Sequence, residues 1–200
     1  MKLFLQILIS TFNQDRIRSF LGISFFLLLF IRYLFVLDFH NFALNWATTL
    51  DLLFSLQLIY ICFLFFIRAT PIKRANIFNQ GIAFCSCIIP LFYTTNLPQH
   101  FPSSSVSLFL VFAGYLLSFW GLISLGRSFG VTPAYRKWIS SQAYRYLDHP
   151  IYLGHFMAEA GFTLWFPNTA NFWILLTSLG LYTYRAVLEQ QLIGAQNESV

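Results

Sequence analysis

Six long apolar segments are the feature that most constrains how this chain can fold. Each approaches the roughly 20 residues that a helix needs to cross the hydrocarbon core of a bilayer. Only 10% of the 200 residues are charged, whereas a soluble domain carries roughly 25%. Such a chain leaves no surface for water, so we expect an all-α, polytopic membrane helix bundle. The predicted spans are approximately residues 19–37, 46–67, 77–96, 105–125, 151–166 and 169–188.

The connections between these spans alternate in charge. Arg68, Lys73 and Arg74 follow the second span, and further cations lie between the fourth and fifth spans. The other three loops, at residues 38–45, 98–104 and 167–168, carry no Lys or Arg. Cationic loops of a membrane protein tend to stay in the cytoplasm. We therefore expect about six transmembrane helices with both termini cytoplasmic. We also expect a single membrane domain, in which residues 1–125 supply four helices and residues 126–193 supply the long loop and the last two helices.

The net charge of +5 does not indicate a nucleic-acid partner. The cations are scattered between apolar runs and form no patch that could neutralise a row of phosphates. For Arg136 and Lys137, in the long loop, we expect binding of lipid headgroups in preference to holding an anionic substrate at the interface. The three cysteines have no accompanying ligand pair, so no metal site is expected.

The densest polar chemistry lies in the stretch YRYLDHPIYLGHF, residues 144–156. Pro150 suits the first turn of a helix, where amide groups lack partners anyway. The fifth helix should therefore begin near His149, with Asp148 as its N-cap. The free N–H groups at such a helix start form a modest site for an anion, such as a carboxylate.

One face of the fifth helix is predicted to be polar. Tyr152, His155 and Glu159 are spaced to lie on the same side of a helix. A carboxylate at membrane depth costs on the order of 3 kcal/mol unless it is paired. This face should therefore point into the bundle or towards a wet cavity, and not towards lipid.

Two parts of the sequence resemble the isoprenylcysteine carboxyl methyltransferase family and its bacterial relatives. YRYLDHPIYLG is similar to that family's Tyr-Arg-x-x-Arg-His-Pro-x-Tyr-x-Gly signature, and LGRSFGVTPAYRKWISS resembles the segment before it. YRAVLEQQLI, at the end of the last span, resembles the family's Arg-x-x-x-Glu-Glu motif. The resemblance covers roughly residues 125–193.

The resemblance implies a small membrane methyltransferase that uses S-adenosyl-L-methionine without a Rossmann domain. Its pocket would face the cytoplasm, its substrate would be lipidic or amphipathic, and residues 125–141 favour a bacterial inner membrane. By position, the cofactor-binding residues would be Tyr144, Arg145, His149, Pro150, Tyr152, Gly154 and Glu189, of which Arg145, His149 and Glu189 would be catalytic. The shared helix face and the terminal motif add His155, Glu159 and Arg185 as substrate or cavity residues.

The chemistry of these side chains agrees with that implied cofactor. Arg145 and the amides near His149 can bind a carboxylate, and Glu189 can bind an ammonium or a ribose hydroxyl. Tyrosine rings can face adenine and the sulfonium, and Gly154 leaves room for close approach. Methyl transfer is an in-line displacement, so most of its acceleration should come from alignment and exclusion of water.

The sequence departs from the family's motifs at four positions. Gln142 and Ala143 replace Gly-Pro before the signature, Asp148 replaces the Arg before His-Pro, and Gln190 replaces the second Glu. Asp148 reverses a charge beside the expected cofactor site. One alternative is therefore a divergent membrane protein that retains the fold without the activity.

Two further alternatives stay open at this point. Sterol-reductase-like membrane enzymes share a His-Pro-x-Tyr-type signature but use NADPH. Those chains are longer and usually carry Asn and an acidic residue where Ile151 and His155 stand here. Haem binding by His149 and His155 is the other alternative, and a Soret band would reveal it.

Overall fold

The structure, a computed structural model, describes residues 15–31, 46–94, 105–136, 139–140 and 142–197. Within these ranges the chain consists of helices, their connections and a ribbon of two short strands, which agrees with the predicted all-α class. The helices are α1 (residues 15–31), α2 (Trp46–Ile67), α3 (Ile77–Ile88), α4 (Ser105–Leu125), α5 (Pro150–Trp165) and α6 (Thr169–Asn197). The strands are β1 (Lys73–Arg74) and β2 (Ala134–Tyr135).

Two helices end elsewhere than predicted. α3 stops at Ile88 and continues as a 3-10 turn over Ile89–Phe92, because Pro90 cannot donate a backbone hydrogen bond. α6 continues to Asn197, well past the predicted end near residue 188. Glu189, Gln190 and Gln191, which follow the apolar run, are polar but form helices well, so the helix continues past the end of that run. The predicted first span beyond residue 31 lies outside the described residues.

The exterior of the described helices is strongly apolar. Phe66 is 81% exposed and Phe109 is 67% exposed, and similar side chains cover the other helices. In the part of the chain that the structure describes, Ser105–Ser128 forms the one helix that is long and apolar enough to cross a membrane. The apolar helices Leu52–Ile67 and Ile77–Phe92 are shorter. An apolar exterior of this extent is typical of a membrane helix bundle and not of a soluble domain.

The contacts divide the chain into two compact units, Met1–Thr70 and Pro71–Val200. In the first unit, Arg68 follows α2 and its Nε donates a hydrogen bond to the hydroxyl of Ser19 in α1, at 2.8 Å. This bond ties α1 to the end of α2. The second unit holds every motif residue of the long loop and the last two helices.

Small residues let α4 and α5 pack in direct backbone contact. A Cβ atom built on Gly154 would lie 2.5 Å from the backbone N of Ser118 and 2.6 Å from the carbonyl O of Gly114. Further along, a Cβ atom on Gly161 would lie 2.7 Å from the carbonyl O of Ser107, so the two helices run antiparallel. Close approach over small residues is a main source of helix association in membranes.

The cationic loops of the second unit meet at one end of the bundle. β1 pairs antiparallel with β2, so that Lys73 lies opposite Tyr135 and Arg74 lies opposite Ala134. We call this end, which also carries the start of α5, the cationic end.

The end of the segment after α3 and the uncharged turn between α5 and α6 meet at the opposite end. The side chain of Asn171, fully buried, accepts a hydrogen bond from the amide of Thr94 and donates to the carbonyls of Thr94 and Phe166, at 2.9 to 3.0 Å. Asn168 accepts from the amide of Asn171 and donates to the hydroxyl of Thr94. This group, the Asn171 clamp, fixes the segment after α3 to the turn between α5 and α6.

Candidate functional site

α5 begins where the proline predicts. Pro150 is its first residue and is buried, and His149 precedes it as the N-cap residue. The prediction that Asp148 caps this helix is wrong, because Asp148 stands one residue too early and no side chain caps the helix start. Asp148 is exposed instead. The first amide groups of α5 are therefore left without a side-chain acceptor.

Tyr152 lies at the centre of a group of side chains from α5 and α6. Its ring stacks on those of His149 and Tyr182, with centroids 5.6 and 5.9 Å away. The guanidinium of Arg185 lies over the same ring, 4.8 Å from its centroid. The Tyr152 hydroxyl donates a hydrogen bond to the carboxylate of Glu189. We call these five residues the site cluster.

Glu189 joins the helix start of α5 to the end of α6. One carboxylate oxygen accepts from Tyr152, and the other lies 3.7 Å from Nδ1 of His149. The amide of Gln190, which replaces the family's second Glu, lies 3.5 Å from Nε2 of the same histidine. The Glu189 side chain is 28% exposed, so a ligand can reach it from outside the bundle. The helical extension of α6 beyond its apolar part is what brings Glu189 to this position.

Tyr144, in the 3-10 turn before α5, lies near the same carboxylate. Burial, followed by the negative charge of Glu189, raises the pKa of the Tyr144 hydroxyl above its ordinary range. The hydroxyl therefore stays protonated at neutral pH and can act as a hydrogen-bond donor.

Arg185 is a buried cation whose hydrogen-bond partners are neutral. Its two terminal nitrogens donate to the hydroxyl of Ser86 in α3, at 2.7 Å, and to the carbonyl of Val131 in the long loop, at 2.6 Å. Its Nε is buried without a hydrogen-bond partner. Among the described residues no carboxylate forms an ion pair with this guanidinium. A buried cation in these surroundings is suited to binding an anionic group of a ligand.

Two predicted residues on α5 face α6 below the site cluster. The ring of His155 lies 6.2 Å from that of Tyr182, and the buried carboxyl of Glu159 accepts a hydrogen bond from the Tyr182 hydroxyl at 2.5 Å. Together with Tyr152 they line the bundle interior, as their helical spacing indicates.

Three further residues lie apart from the cluster. Arg145 is exposed, with its guanidinium 6.0 Å from the centroid of the Tyr146 ring. Gly154 faces α4, where its missing side chain serves the helix packing described above.

The prediction that Arg136 binds lipid headgroups is wrong, because that side chain is buried against Gly130, whose lack of a side chain makes room for it. Lys137 lies outside the described residues.

The structure accounts for two departures from the family's motifs. Gln142, which stands where the family carries Gly, has a φ of 54°, the left-handed conformation that favours glycine. Ala143, which replaces Pro, is buried and its amide donates to the hydroxyl of Ser124 at 3.2 Å, a bond that Pro could not make. The backbone of this turn thus keeps a glycine-like shape although the residues differ.

Gln142→Gly should consequently stabilise the protein. Glycine adopts this conformation without the Cβ clash, and we expect a gain of up to about 1 kcal/mol in the free energy of unfolding. Thermal unfolding of both proteins in the same detergent measures it. An unchanged or lower unfolding temperature of Gln142→Gly would contradict the inference that the backbone is strained at Gln142.

Sequence reasoning misses two residues, Tyr182 of the site cluster and Ser86, which binds Arg185. Tyr182 precedes Arg185 by three residues and Glu189 by seven, so helical spacing from the terminal motif could have found it. Ser86 carries no such signal, because its role depends on how α3 packs against α6.

Fold and cluster together define a class: an all-helical membrane protein with a buried polar site between its last two helices. Residues 103–194 match the family model for phospholipid methyltransferases, a family of membrane methyltransferases. No curated protein and no solved structure matches the chain. The matched range holds α4, α5 and most of α6, and it includes the whole site cluster. The predicted relationship to membrane methyltransferases is confirmed at the level of the family, whose members act on lipid-like substrates.

Proposed function

We propose that the chain is an S-adenosyl-L-methionine-dependent methyltransferase that methylates a lipidic or amphipathic acceptor at the cytoplasmic face of the membrane. The observation that carries this proposal is the site cluster within the matched domain. It presents a reachable carboxylate, Glu189, next to His149 and Tyr152, and a buried cation, Arg185, that has no carboxylate partner among the described residues.

The chemistry of the cluster fits this cofactor. The partnerless Nε of Arg185 suits a carboxylate, Glu189 suits an ammonium, and the ring of Tyr152 offers a face to a cation or an adenine. Arg145, which is exposed in the turn before α5 and lies outside the site cluster, is proposed to attract the cofactor's carboxylate to the site. When bound, S-adenosyl-L-methionine supplies an electrophilic methyl group on its sulfonium.

The protein's own residues are proposed to act by holding the cofactor and the acceptor in a fixed orientation. The Tyr152 hydroxyl fixes the carboxylate of Glu189, and that carboxylate in turn faces Nδ1 of His149. Tyr144 adds a protonated hydroxyl near the same carboxylate. Groups preorganised in this way, at a site walled by apolar helices, favour alignment of the acceptor and exclusion of water.

We further propose a single, multi-pass membrane domain of six spans with both termini in the cytoplasm of a bacterial cell. Two features support this topology in the second unit. The β-ribbon joins two cationic loops, those carrying Lys73 and Arg136, at one end of the bundle, and the Asn171 clamp joins two uncharged segments at the other. Under the positive-inside rule the cationic end, and with it the site cluster, faces the cytoplasm.

Purified protein in detergent should bind S-adenosyl-L-methionine, because the cluster offers complementary groups to each charged part of that molecule. Isothermal titration calorimetry, with NADPH titrated in parallel, measures the binding. Methyl transfer is then followed with labelled cofactor and two acceptors, phosphatidylethanolamine vesicles and a farnesylated cysteine. Binding of NADPH alone would favour the reductase alternative, and binding of neither at near-millimolar concentration would favour a protein that keeps the fold without activity.

A further inference from the structure

A second polar group lies deeper in the bundle than the site cluster. Its centre is the carboxyl of Glu159, seven residues and so about 10 Å along α5 from Tyr152. The carboxyl accepts hydrogen bonds from Tyr182 of α6 at 2.5 Å and from Tyr93, which follows α3, at 3.3 Å. Glu159 and Tyr182 are 8% and 6% exposed. We call Glu159, Tyr182 and Tyr93 the Glu159 knot.

Both carboxyl oxygens of Glu159 are occupied within the protein. Oε1 accepts from Tyr182 and Oε2 accepts from Tyr93, while Thr163 binds the backbone carbonyl of Glu159 at 2.8 Å. The knot therefore differs from Glu189, whose carboxylate is partly exposed.

The ring of Tyr182 connects the knot to the site cluster. It stacks on Tyr152 with an interplanar angle of 3° and on His155 with one of 29°. A tyrosine side chain has only two rotatable χ angles, so a hydrogen bond at its hydroxyl and a stacking contact on its face together fix its position. Tyr152, on the far side of this stack, carries the hydrogen bond to Glu189.

We propose that Glu159 and Tyr182 are positioning residues for the cofactor site, an inference that rests on the proposed methyltransferase function. Glu159 holds the Tyr182 hydroxyl, Tyr182 holds the Tyr152 ring, and Tyr152 presents Glu189 to the ligand. Placing a carboxyl in an apolar bundle is costly. Tying α3 to the last two helices does not require this carboxyl, because the Asn171 clamp already binds Thr94, the neighbour of Tyr93.

The test compares substitutions in the knot with one in the clamp. Tyr182→Phe removes one hydroxyl and keeps the ring, and Glu159→Ala removes the acceptor. Each should weaken binding of S-adenosylhomocysteine, measured by calorimetry, by about tenfold, because Tyr152 and Glu189 lose their fixed orientation. The double variant should lose little more than either single one, since the two residues act as a unit. Glu159→Gln keeps an acceptor for Tyr182 and should recover most of the affinity.

Asn171→Ala is the matched control. It removes several buried hydrogen bonds at the opposite end of the bundle, so it should lower the unfolding temperature at least as much while changing the affinity less than about twofold. If the loss of S-adenosylhomocysteine affinity is proportional to the drop in unfolding temperature across all variants, including Asn171→Ala, the knot is only structural and the inference is overturned.

The two proposals fail in different ways. Wild-type protein that does not bind S-adenosylhomocysteine overturns both. Wild-type protein that binds it, together with an unchanged affinity in Tyr182→Phe and Glu159→Ala, overturns the positioning role alone. If Glu159→Ala does not assemble, Tyr182→Phe decides, because it changes one atom of a side chain that keeps its stacking contacts.

Discussion

Replacing Glu189 with Ala is expected to reduce S-adenosyl-L-methionine binding by at least about a hundredfold. The substitution leaves the partly buried hydroxyl of Tyr152 without its acceptor and removes the carboxylate that lies 3.7 Å from Nδ1 of His149. Loss of one partner from a partly buried charged group typically costs about 3 kcal/mol or more. Methyl transfer to any acceptor should fall with the binding. Calorimetry and labelled-methyl assays on the same preparation measure both quantities.

The neighbouring Gln190→Ala provides a control on the same helix turn. Gln190 is exposed and its amide reaches His149 only at 3.5 Å, so its loss should change the affinity by no more than about threefold. Glu189→Gln separates charge from shape, because glutamine can still accept from Tyr152 but cannot attract an ammonium. An affinity within threefold of wild type for Glu189→Ala would remove Glu189 from the site.

The helices themselves could be predicted because hydrophobicity and length both constrain a membrane span. The predicted bounds of α2 and α4 match the structure. The predicted end of α6 is wrong because the hydrophobic pattern marks only the apolar run, whereas the helix continues through Glu189, Gln190 and Gln191, which favour helix. Glu189, a residue of the site cluster, lies on this polar continuation.

The contacts of the candidate site could be predicted only in part. The motif places His149, Tyr152 and Glu189 near one another, and the structure brings them together. The partners of Glu159 depend on how α5 and α6 are rotated against each other, which no local pattern of either helix specifies. Arg136 illustrates the same limit, because its burial against Gly130 follows from the path of a whole loop.

Gly154→Leu should strongly disrupt the packing of α4 against α5. A Cβ atom alone would lie 2.5 Å from the backbone N of Ser118, and the backbone of α4 cannot move away without opening the whole interface. We expect a loss of at least about 3 kcal/mol in the free energy of unfolding, or failure to assemble. Cofactor binding should be lost with it, because α5 carries His149 and Tyr152. Thermal unfolding and size-exclusion chromatography in detergent measure the effect.

Gly180→Leu is the matched control for this substitution. Gly180 lies on α6 with no heavy atom within 4 Å of a Cβ built there, so a leucine at this position extends into the surroundings of the bundle without a clash. Leucine also forms helices better than glycine by about 0.5–1 kcal/mol, and the variant should be as stable as wild type or slightly more so. A loss of stability in Gly154→Leu together with no loss in Gly180→Leu would show that the backbone contact with α4, and not helix propensity, determines the effect. Equal destabilisation by both substitutions would show that glycine is required at these positions for a reason other than the contact between α4 and α5.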